Sequence, residues 1–187
     1  TFSRVMKEKG IEDAKNAVES INAHFGRTVY TLDIFGQVDV EYKERFSQLE
    51  KSFPDYISYG GAIEANKSVE TLKSYFALLF PTYYKGEGFA GTLIDAMSAG
   101  VPVIASDWKY NPEFVVSGKT GVIIKNCNAE RLAEELINIA AAPEKWNSMR
   151  LSALKESEKY KPDIAARPLI DLSLIHISEP TRRVVIS

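Results

Sequence analysis

The chain has 187 residues, a formal net charge of −2, and 45% apolar and 26% charged residues. These values are ordinary for a globular domain, and the near balance of charge excludes a protein that binds nucleic acid through overall positive charge. No apolar run in the sequence reaches the roughly 20 residues that a membrane helix needs, and the single cysteine, Cys127, excludes an internal disulfide.

Helix and strand signals alternate along the chain. Apolar residues at helical spacing predict a first helix over residues 11–25, and the β-rich stretch 28–36 predicts a strand that ends at a glycine. Ser68 is predicted to be the N-cap of a later helix. The further predicted helices cover residues 41–53, 68–75, 91–100, 128–142 and 143–160, and the further predicted strands cover residues 56–61, 76–81, 101–107 and 120–124.

This alternation predicts an α/β fold in which a doubly wound, Rossmann-like parallel sheet carries helices on both faces. The continuous apolar runs 76–80 and 101–105 fit central strands that are buried on both sides. Ligands of such sheets bind beyond the carboxyl ends of the strands. The loop at residues 81–91, which joins a buried strand to a helix, is therefore the first candidate for a binding site.

This loop combines glycines with carboxylates. Gly86, Gly88 and Gly91 allow backbone N–H groups to face a ligand, and the N-terminus of the following helix favours a phosphate. Glu87 and Asp95 could accept hydrogen bonds from hydroxyl groups of the same ligand. From spacing alone, two interpretations stay open: a nucleotide-sugar site, or a solvated loop residue followed by a carboxylate in an early helical turn.

Residues 87–108 (EGFAGTLIDAMSAGVPVIASDW) resemble the signature of the retaining glycosyltransferases of family four, which have the two-domain GT-B fold. That signature is a glutamate, seven residues and a second glutamate, followed by a small-residue helix and a G-x-P-V-I-A strand. Glu87 matches the first glutamate, and Asp95 stands in place of the second. Upstream, SRVMKEKGI resembles the family segment G-R-L-x-x-x-K-G and supplies Arg4 and Lys9 as the matching basic pair.

The resemblance implies that residues 1–161 are one half of a GT-B fold, namely the C-terminal domain that binds the nucleotide sugar. It implies that Arg4 and Lys9 hold the donor diphosphate and stabilise the departing nucleoside diphosphate. It also implies that Glu87 contacts the donor sugar and that Asp95 contacts the ribose hydroxyls.

Further contacts are implied through the backbone. Backbone near Ile63 would face the base, and backbone of the glycine-rich loop would contact the sugar or the phosphates. The loop residues in question are Gly88, Phe89, Ala90 and Gly91. The expected donor is a UDP- or GDP-sugar, with no cofactor. The sequence contains no D-x-D triplet and no His/Cys cluster, so we expect no metal.

The parent protein is accordingly expected to be a retaining hexosyltransferase of surface-polysaccharide or glycoconjugate synthesis. Its sugar or lipid-linked acceptor would bind an N-terminal domain upstream of Thr1, and the present chain would supply the donor site without catalysing transfer. We expect a cytoplasmic location, either free or at the inner face of the membrane. Two alternatives remain: a non-catalytic nucleotide-binding module, and a nucleotide-sugar epimerase of the same fold.

The C-terminal end does not follow the pattern of the rest. Residues 162–171 are predicted to begin a truncated C-terminal segment. The string LSLIHISEPTR at residues 172–182 resembles the translation of a sequencing-library adapter. We therefore expect residues 172–187 to be a non-native tail and exclude them from the prediction of the fold.

Overall fold

The computed structural model describes residues 1–168 and residue 170. Five strands and eight α-helices alternate along these residues. The strands are β1 (Leu32–Phe35), β2 (Ile57–Gly61), β3 (Leu78–Phe80), β4 (Val103–Ser106) and β5 (Gly121–Ile124). The helices are α1 (Ile11–Phe25), α2 (Lys43–Glu50), α3 (Ser68–Leu72), α4 (Gly91–Ser98), α5 (Asn111–Phe114), α6 (Ala129–Ala140), α7 (Pro143–Ser157) and α8 (Pro162–Ala165). The predicted non-native tail lies outside the described residues.

The pairings between these strands are all parallel, as predicted. Strand β1 pairs with β2, and β4 lies between β3 and β5. The register of the second group places Leu78 beside Val103 and Val103 beside Gly121. Because parallel neighbours need a crossover connection, a helix follows each strand and returns the chain to the same end of the sheet.

Side chains of β3 and β4 alternate between two hydrophobic cores. Leu79 and Ile104 belong to a core with α1, α6 and α7, whereas Leu78, Phe80 and Val103 belong to a core with α4. Both faces of the central strands are therefore covered, and α1 packs against α6 while α4 packs against α7. This arrangement confirms the predicted doubly wound α/β fold and explains why the two strands are continuously apolar.

The first residues of the chain run beside β1. The backbone N–H of Phe35 donates to the carbonyl of Thr1 at 3.0 Å, and that of Ser3 donates to the carbonyl of Phe35 at 3.1 Å. Phe2 packs against the core that contains α4. A cavity of about 630 Å³ lies between β1 and the residues before β3, at the opposite end of β3 from the loop that sequence analysis selected.

Strand β1 is shorter than predicted, because residues 28–31 are not part of it. The side chain of Asn22, in α1, holds this stretch instead. Its Oδ1 accepts from the N–H groups of Val29 at 2.7 Å and Tyr30 at 3.0 Å, and its Nδ2 donates to the carbonyl of Tyr30 at 2.8 Å. These backbone groups are satisfied by a buried amide, so they need no strand partner.

The predicted helices are all present in the structure, but the bounds of several differ from those predicted. The bounds of α1 are those predicted, and Trp146 of α7 is 2% exposed and stacks on Phe76, as expected of a core residue. The predicted helix 41–53 begins instead with a 3-10 turn at Val40–Tyr42. Helix α5 was not predicted, because one turn is too short to produce a hydrophobic period.

Candidate functional site

The loop between β3 and α4 lies at the carboxyl end of a central strand. Pro81 and Thr82 continue β3 as buried residues, and the chain then emerges to the surface before α4 begins. The backbone N–H of Tyr83 donates to the carbonyl of Glu8 at 2.8 Å, which holds the loop against the N-terminal segment of the chain. Two segments far apart in sequence therefore form one surface.

Lys9 and Glu87 meet at the centre of this surface. Their Nζ and Oε2 atoms are 2.6 Å apart, and the two side chains are 10% and 8% exposed. The hydroxyl of Thr82 donates to the same Oε2 at 2.7 Å. Among the described residues, Oε1 of Glu87 receives no hydrogen bond, so one carboxylate oxygen is fixed by the protein while the other stays available to a ligand.

Aromatic rings surround the ammonium group of Lys9. Its Nζ lies 5.4 Å from the ring centroid of Phe80 and 5.4 Å from that of Tyr84. An ammonium group at this distance is attracted to the face of an aromatic ring. The amine is thereby stabilised next to a carboxylate in a largely desolvated position, where an electrostatic interaction is stronger than in water.

Gly10 explains how Lys9 reaches the loop. Lys7–Lys9 form a 3-10 turn, and Gly10 ends it with a φ of 69° before α1 begins. A Cβ atom at Gly10 would lie 2.4 Å from the carbonyl oxygen of Pro81, so a larger residue would push the two segments apart. The close contact of Gly10 with Pro81 is what lets Lys9 extend to Glu87.

Arg4 lies apart from this ion pair. Its side chain is 60% exposed, and Nη1 is 3.7 Å from Asp39 Oδ2. Arg4 forms no hydrogen bond or ion pair with Glu87 among the described residues. Of the three side chains predicted to contact the donor diphosphate or sugar, the structure thus brings Lys9 and Glu87 together and leaves Arg4 as an exposed cation.

The glycine-rich loop leaves the start of α4 open. Ala90 is the N-cap of α4 but gives no side-chain hydrogen bond, and Gly88 and Gly91 have no atom within 4 Å of the position that a Cβ would take. The N–H groups of the first helical turn are thus free of a side-chain cap, and α4 has no acidic residue in its first turn. Such a helix end attracts an anion.

Phe89 is an exposed ring of the loop that packs against α5. Its side chain is 69% exposed and meets the ring of Phe114 edge to face, with the ring centroids 5.2 Å apart. The ring of Phe114 is in turn 6.0 Å from that of Tyr160. Phe89 therefore contacts α5, and Phe114 of α5 continues the contact to the 3-10 turn Glu158–Tyr160 that follows α7.

The remaining predicted residues flank this centre. Ile63 is half-buried between β2 and the 3-10 turn Ala65–Lys67. Asp95 lies in the second turn of α4, and its Oδ2 accepts a hydrogen bond from Ser68 Oγ at 2.8 Å. Ser68 was predicted to cap α3, and this prediction is wrong: Lys67 is the N-cap, and the hydroxyl of Ser68 bonds Asp95 and the carbonyl of Ala65 instead.

The sequence did not predict the hydrogen bonds that support the loop from below. Thr82 is fully buried and bonds Glu87, while its carbonyl accepts from Ser106 Oγ at 2.5 Å. The indole N–H of Trp108 donates to the carbonyl of Tyr84 at 2.8 Å. A threonine directly after an apolar strand and five residues before Glu87 was the available signal, because a buried hydroxyl must find a partner.

Electrostatic effects extend to the neighbouring tyrosine. Burial raises the pKa of Tyr83, and the carboxylates of Asp13, Glu8 and Glu12 raise it further. Tyr83 is therefore a neutral phenol near neutral pH, able to donate or accept a hydrogen bond at the rim of the loop.

The described residues contain neither a metal-binding cluster nor a helix that could span a membrane. No group of three or more His, Cys, Asp or Glu side chains is placed to hold a metal ion. No helix within residues 1–168 has the length and apolar character needed to cross a membrane. The expectation of a metal-free site stays a prediction.

Similarity to solved structures supports the fold. HepE from Anabaena, in complex with UDP-glucose, superposes with a TM-score of 0.79 at 16% identity, over 94% of this chain and 47% of that one. The C-terminal domain of a group 1 glycosyl transferase from Francisella tularensis superposes with a TM-score of 0.72 at 19% identity, over 86% of this chain and 84% of that one. The fold is therefore that of a GT-B glycosyltransferase domain.

Similarity in sequence supports the family. A curated relative from Streptococcus gordonii, the UDP-N-acetylglucosamine–peptide N-acetylglucosaminyltransferase GtfA subunit, is 32% identical over 125 residues. That match covers 66% of this chain and 23% of the relative, so the chain spans about a quarter of the relative's length. The family model for "Glycosyl transferases group 1" matches residues 1–156. This chain belongs to the family of glycosyl transferases group 1.

Proposed function

We propose that this chain binds the nucleotide-sugar donor of a glycosyltransferase, and that the donor is a UDP- or GDP-sugar. The donor would lie across the loop between β3 and α4. Its diphosphate would face the open N-terminus of α4 and the basic side chains of Lys9 and Arg4, and its sugar would face Glu87.

The buried ion pair between Lys9 and Glu87 is the observation that carries the proposal. A buried ion pair gains little stability over an apolar pair of similar size, so its position beside an open helix end favours a role in binding. The free Oε1 of Glu87 can accept a sugar hydroxyl, while the fixed ammonium of Lys9 lies close to the place where the diphosphate would bind.

These groups suit the chemistry of glycosyl transfer. When the bond between the anomeric carbon and the diphosphate oxygen breaks, negative charge develops on the departing nucleoside diphosphate. A preorganised cation and the backbone N–H groups of a helix end stabilise that charge without reorganisation. Arg4 is exposed and carries a long side chain, so it can turn towards a bound diphosphate.

The relatives support the proposal for the donor. HepE was solved in complex with UDP-glucose, and the name of the GtfA subunit specifies UDP-N-acetylglucosamine as its donor. We therefore place UDP-sugars before GDP-sugars. The name of the GtfA subunit also specifies a peptide as the acceptor. For the parent of this chain, glycoconjugate synthesis is therefore at least as well supported as the synthesis of a surface polysaccharide.

Several properties of the parent protein belong to the same proposal. Transfer would proceed with retention of the anomeric configuration and without a metal. The acceptor would bind a second domain that residues 1–168 do not include, and the parent would act in the cytoplasm, free or at the inner face of the membrane. The chain alone would then bind a donor without transferring its sugar, and an assay that detects sugar transfer by this chain would contradict the last statement.

Isothermal titration calorimetry tests donor binding directly. We expect the wild-type chain to bind UDP and UDP-sugars, and Lys9→Ala to weaken this binding by about tenfold or more, because a charge-assisted hydrogen bond contributes about 1.5–3 kcal/mol. Lys73→Ala is the matched control, since Lys73 forms an exposed ion pair with Glu70 away from the loop.

Circular dichroism should first establish that each variant is folded. Equal affinities of wild type, Lys9→Ala and Lys73→Ala for every nucleotide would contradict the proposed site. Tighter binding of GDP than of UDP would retain the site and reverse the order of the two donors.

A further inference from the structure

A hydrogen bond between Ser68 and Asp95 links two neighbouring helices. Ser68 is the first residue of α3, is 4% exposed, and lies 27 positions before Asp95. Helices α3 and α4 pack against each other at this point. The bond therefore connects a buried hydroxyl on one helix with a half-buried carboxylate on its neighbour.

The Ser68 hydroxyl has two acceptors within reach. Asp95 Oδ2 and the carbonyl oxygen of Ala65 each lie 2.8 Å from Oγ. A serine hydroxyl carries one proton, and a bond to an ionised carboxylate is about twice as strong as a bond to a neutral carbonyl. Asp95 is therefore the preferred acceptor.

The bond fixes one oxygen of Asp95 and leaves the other open. Among residues 1–168, Ser68 is the sole side chain that hydrogen bonds to the Asp95 carboxylate, and no cation forms an ion pair with it. A carboxylate held through Oδ2 presents Oδ1 in a defined direction. Without the bond, the side chain would have to lose its rotational freedom when a ligand binds.

The two residues lie between the parts of the site to which a nucleoside is assigned. Ser68 follows the segment of Ile63, which is predicted to face the base. Asp95 follows the loop and the helix end that are predicted to face the diphosphate. A ribose joins a base to a diphosphate, so it would lie where these segments meet.

We propose that Ser68 is a positioning residue that holds Oδ2 of Asp95, so that Oδ1 accepts a hydrogen bond from a ribose hydroxyl, and that the pair selects ribonucleotide donors over 2′-deoxyribonucleotide donors. This inference rests on the proposed function. To that function it adds the role of Ser68, the orientation of the Asp95 carboxylate and the preference for ribonucleotides. A site built to bind a hydroxyl discriminates against an analogue that lacks it, because the buried acceptor is left unpaired.

The test is the affinity of the full chain for UDP and for 2′-deoxy-UDP, measured by calorimetry. We expect the wild type to prefer UDP by about tenfold, which corresponds to about 1.4 kcal/mol. Ser68→Ala should reduce this preference to about twofold. In an Asp95→Ala background, Ser68→Ala should change the preference no further, because Ser68 acts through Asp95.

Ser157→Ala is the matched control. Ser157 is also buried, at 7% exposure, and its hydroxyl donates to a carbonyl three residues earlier, as Ser68 does, but it has no carboxylate partner. Both variants lose a buried hydrogen bond, so their melting temperatures should fall by similar amounts. A preference that changes in Ser68→Ala and not in Ser157→Ala cannot be ascribed to lost stability.

Three outcomes separate this inference from the proposal on which it rests. If the wild type prefers UDP and only Ser68→Ala loses the preference, the inference is supported. If Ser68→Ala retains the preference of the wild type, the inference is wrong and the donor site stands. If the wild type binds neither of these nucleotides and does not bind GDP either, both the donor site and the inference are wrong.

Discussion

At the scale of single residues, Glu87 has two partners on one oxygen. Lys9 and Thr82 both donate to Oε2, from two parts of the chain that are distant in sequence. A carboxylate anchored in this way loses little freedom when it binds a ligand, which favours affinity. The same anchoring makes Glu87 important for stability as well as for binding.

We expect Glu87→Ala to lower the free energy of unfolding by about 3 kcal/mol. The substitution leaves the Lys9 ammonium buried without its counter-ion and the Thr82 hydroxyl without its acceptor. Glu70→Ala, which removes an exposed ion pair with Lys73, should cost less than about 1 kcal/mol. Urea denaturation measures both values, and equal losses would mean that the pair between Lys9 and Glu87 is effectively solvated.

The sequence predicted these residues but not their contact. Lys9 and Glu87 were each selected by resemblance to a motif, and neither motif states that the two side chains touch. Thr82 was not selected, because a single buried threonine has no pattern. Ser68 was assigned a capping role because it begins a partial capping-box pattern, yet its hydroxyl bonds to Asp95, 27 residues away. Contacts across such separations depend on tertiary packing, which local patterns do not contain.

At the scale of elements, the N-terminus of α1 holds two adjacent carboxylates with opposite behaviour. Glu12 accepts from Arg45 Nη2 at 2.5 Å and from the hydroxyl of Tyr42 at 2.9 Å. The hydrogen bond from Arg45 is the main reason that the pKa of Glu12 is lowered. Burial, together with the charge of Glu12, raises the pKa of Asp13.

The two shifts predict opposite effects on stability. Because the pKa of Glu12 is lower in the folded state, its stabilisation is present above the unfolded pKa near 4.5 and is lost as the pH falls through the folded pKa. Because the pKa of Asp13 is higher in the folded state, its charge destabilises the fold at neutral pH. That penalty disappears as the pH falls through the raised pKa towards 3.8.

Two neutral isosteres test this prediction by thermal or urea unfolding between pH 7 and pH 3. Glu12→Gln should be less stable than the wild type at pH 7, with a difference that shrinks below about pH 4.5. Asp13→Asn should be more stable at pH 7, and its amide oxygen can still accept from the backbone of Ala129. Shifts of the same sign in both variants would contradict the assignment.

The sequence predicted the presence of helices and strands better than the residues at which they begin and end. Helix α1 was predicted with its observed bounds, since its apolar stripe is regular and glycines with left-handed φ lie at both ends. Strand β1 was predicted four residues too early, because Val29 and Tyr30 have the composition of a strand while the buried amide of Asn22 holds their backbone. Composition indicates that a stretch is buried, but it does not identify which group satisfies the backbone.

At the scale of the whole molecule, Gly10 joins the start of the chain to its central loop. Gly10 and Gly26 both end a helical turn in the left-handed region, with φ of 69° and 61°. They differ in surroundings: a Cβ at Gly10 would lie 2.4 Å from the Pro81 carbonyl oxygen, whereas one at Gly26 would meet nothing within 4 Å.

We expect Gly10→Ala to be markedly more destabilising than Gly26→Ala. Alanine in the left-handed region costs about 1–2 kcal/mol at either position, and Gly10→Ala adds the displacement of Pro81. Gly10→Ala should also weaken UDP binding, because it separates Lys9 from Glu87, while Gly26→Ala should leave UDP binding unchanged. Calorimetry with UDP and melting temperatures measure the two effects, and similar behaviour of the two variants would show that the contact with Pro81 is not restrictive.

The ion pair at the centre of the loop spans 78 positions of the chain. Contacts between residues so far apart form late in folding, since the entropy of closing the intervening segment must be overcome first. We expect Lys9 and Glu87 to meet only after α1 and the strands β1, β2 and β3 have taken their places. Nucleotide affinity would then report complete folding, and a refolding experiment should recover UDP binding no earlier than the slowest phase in which tertiary structure returns.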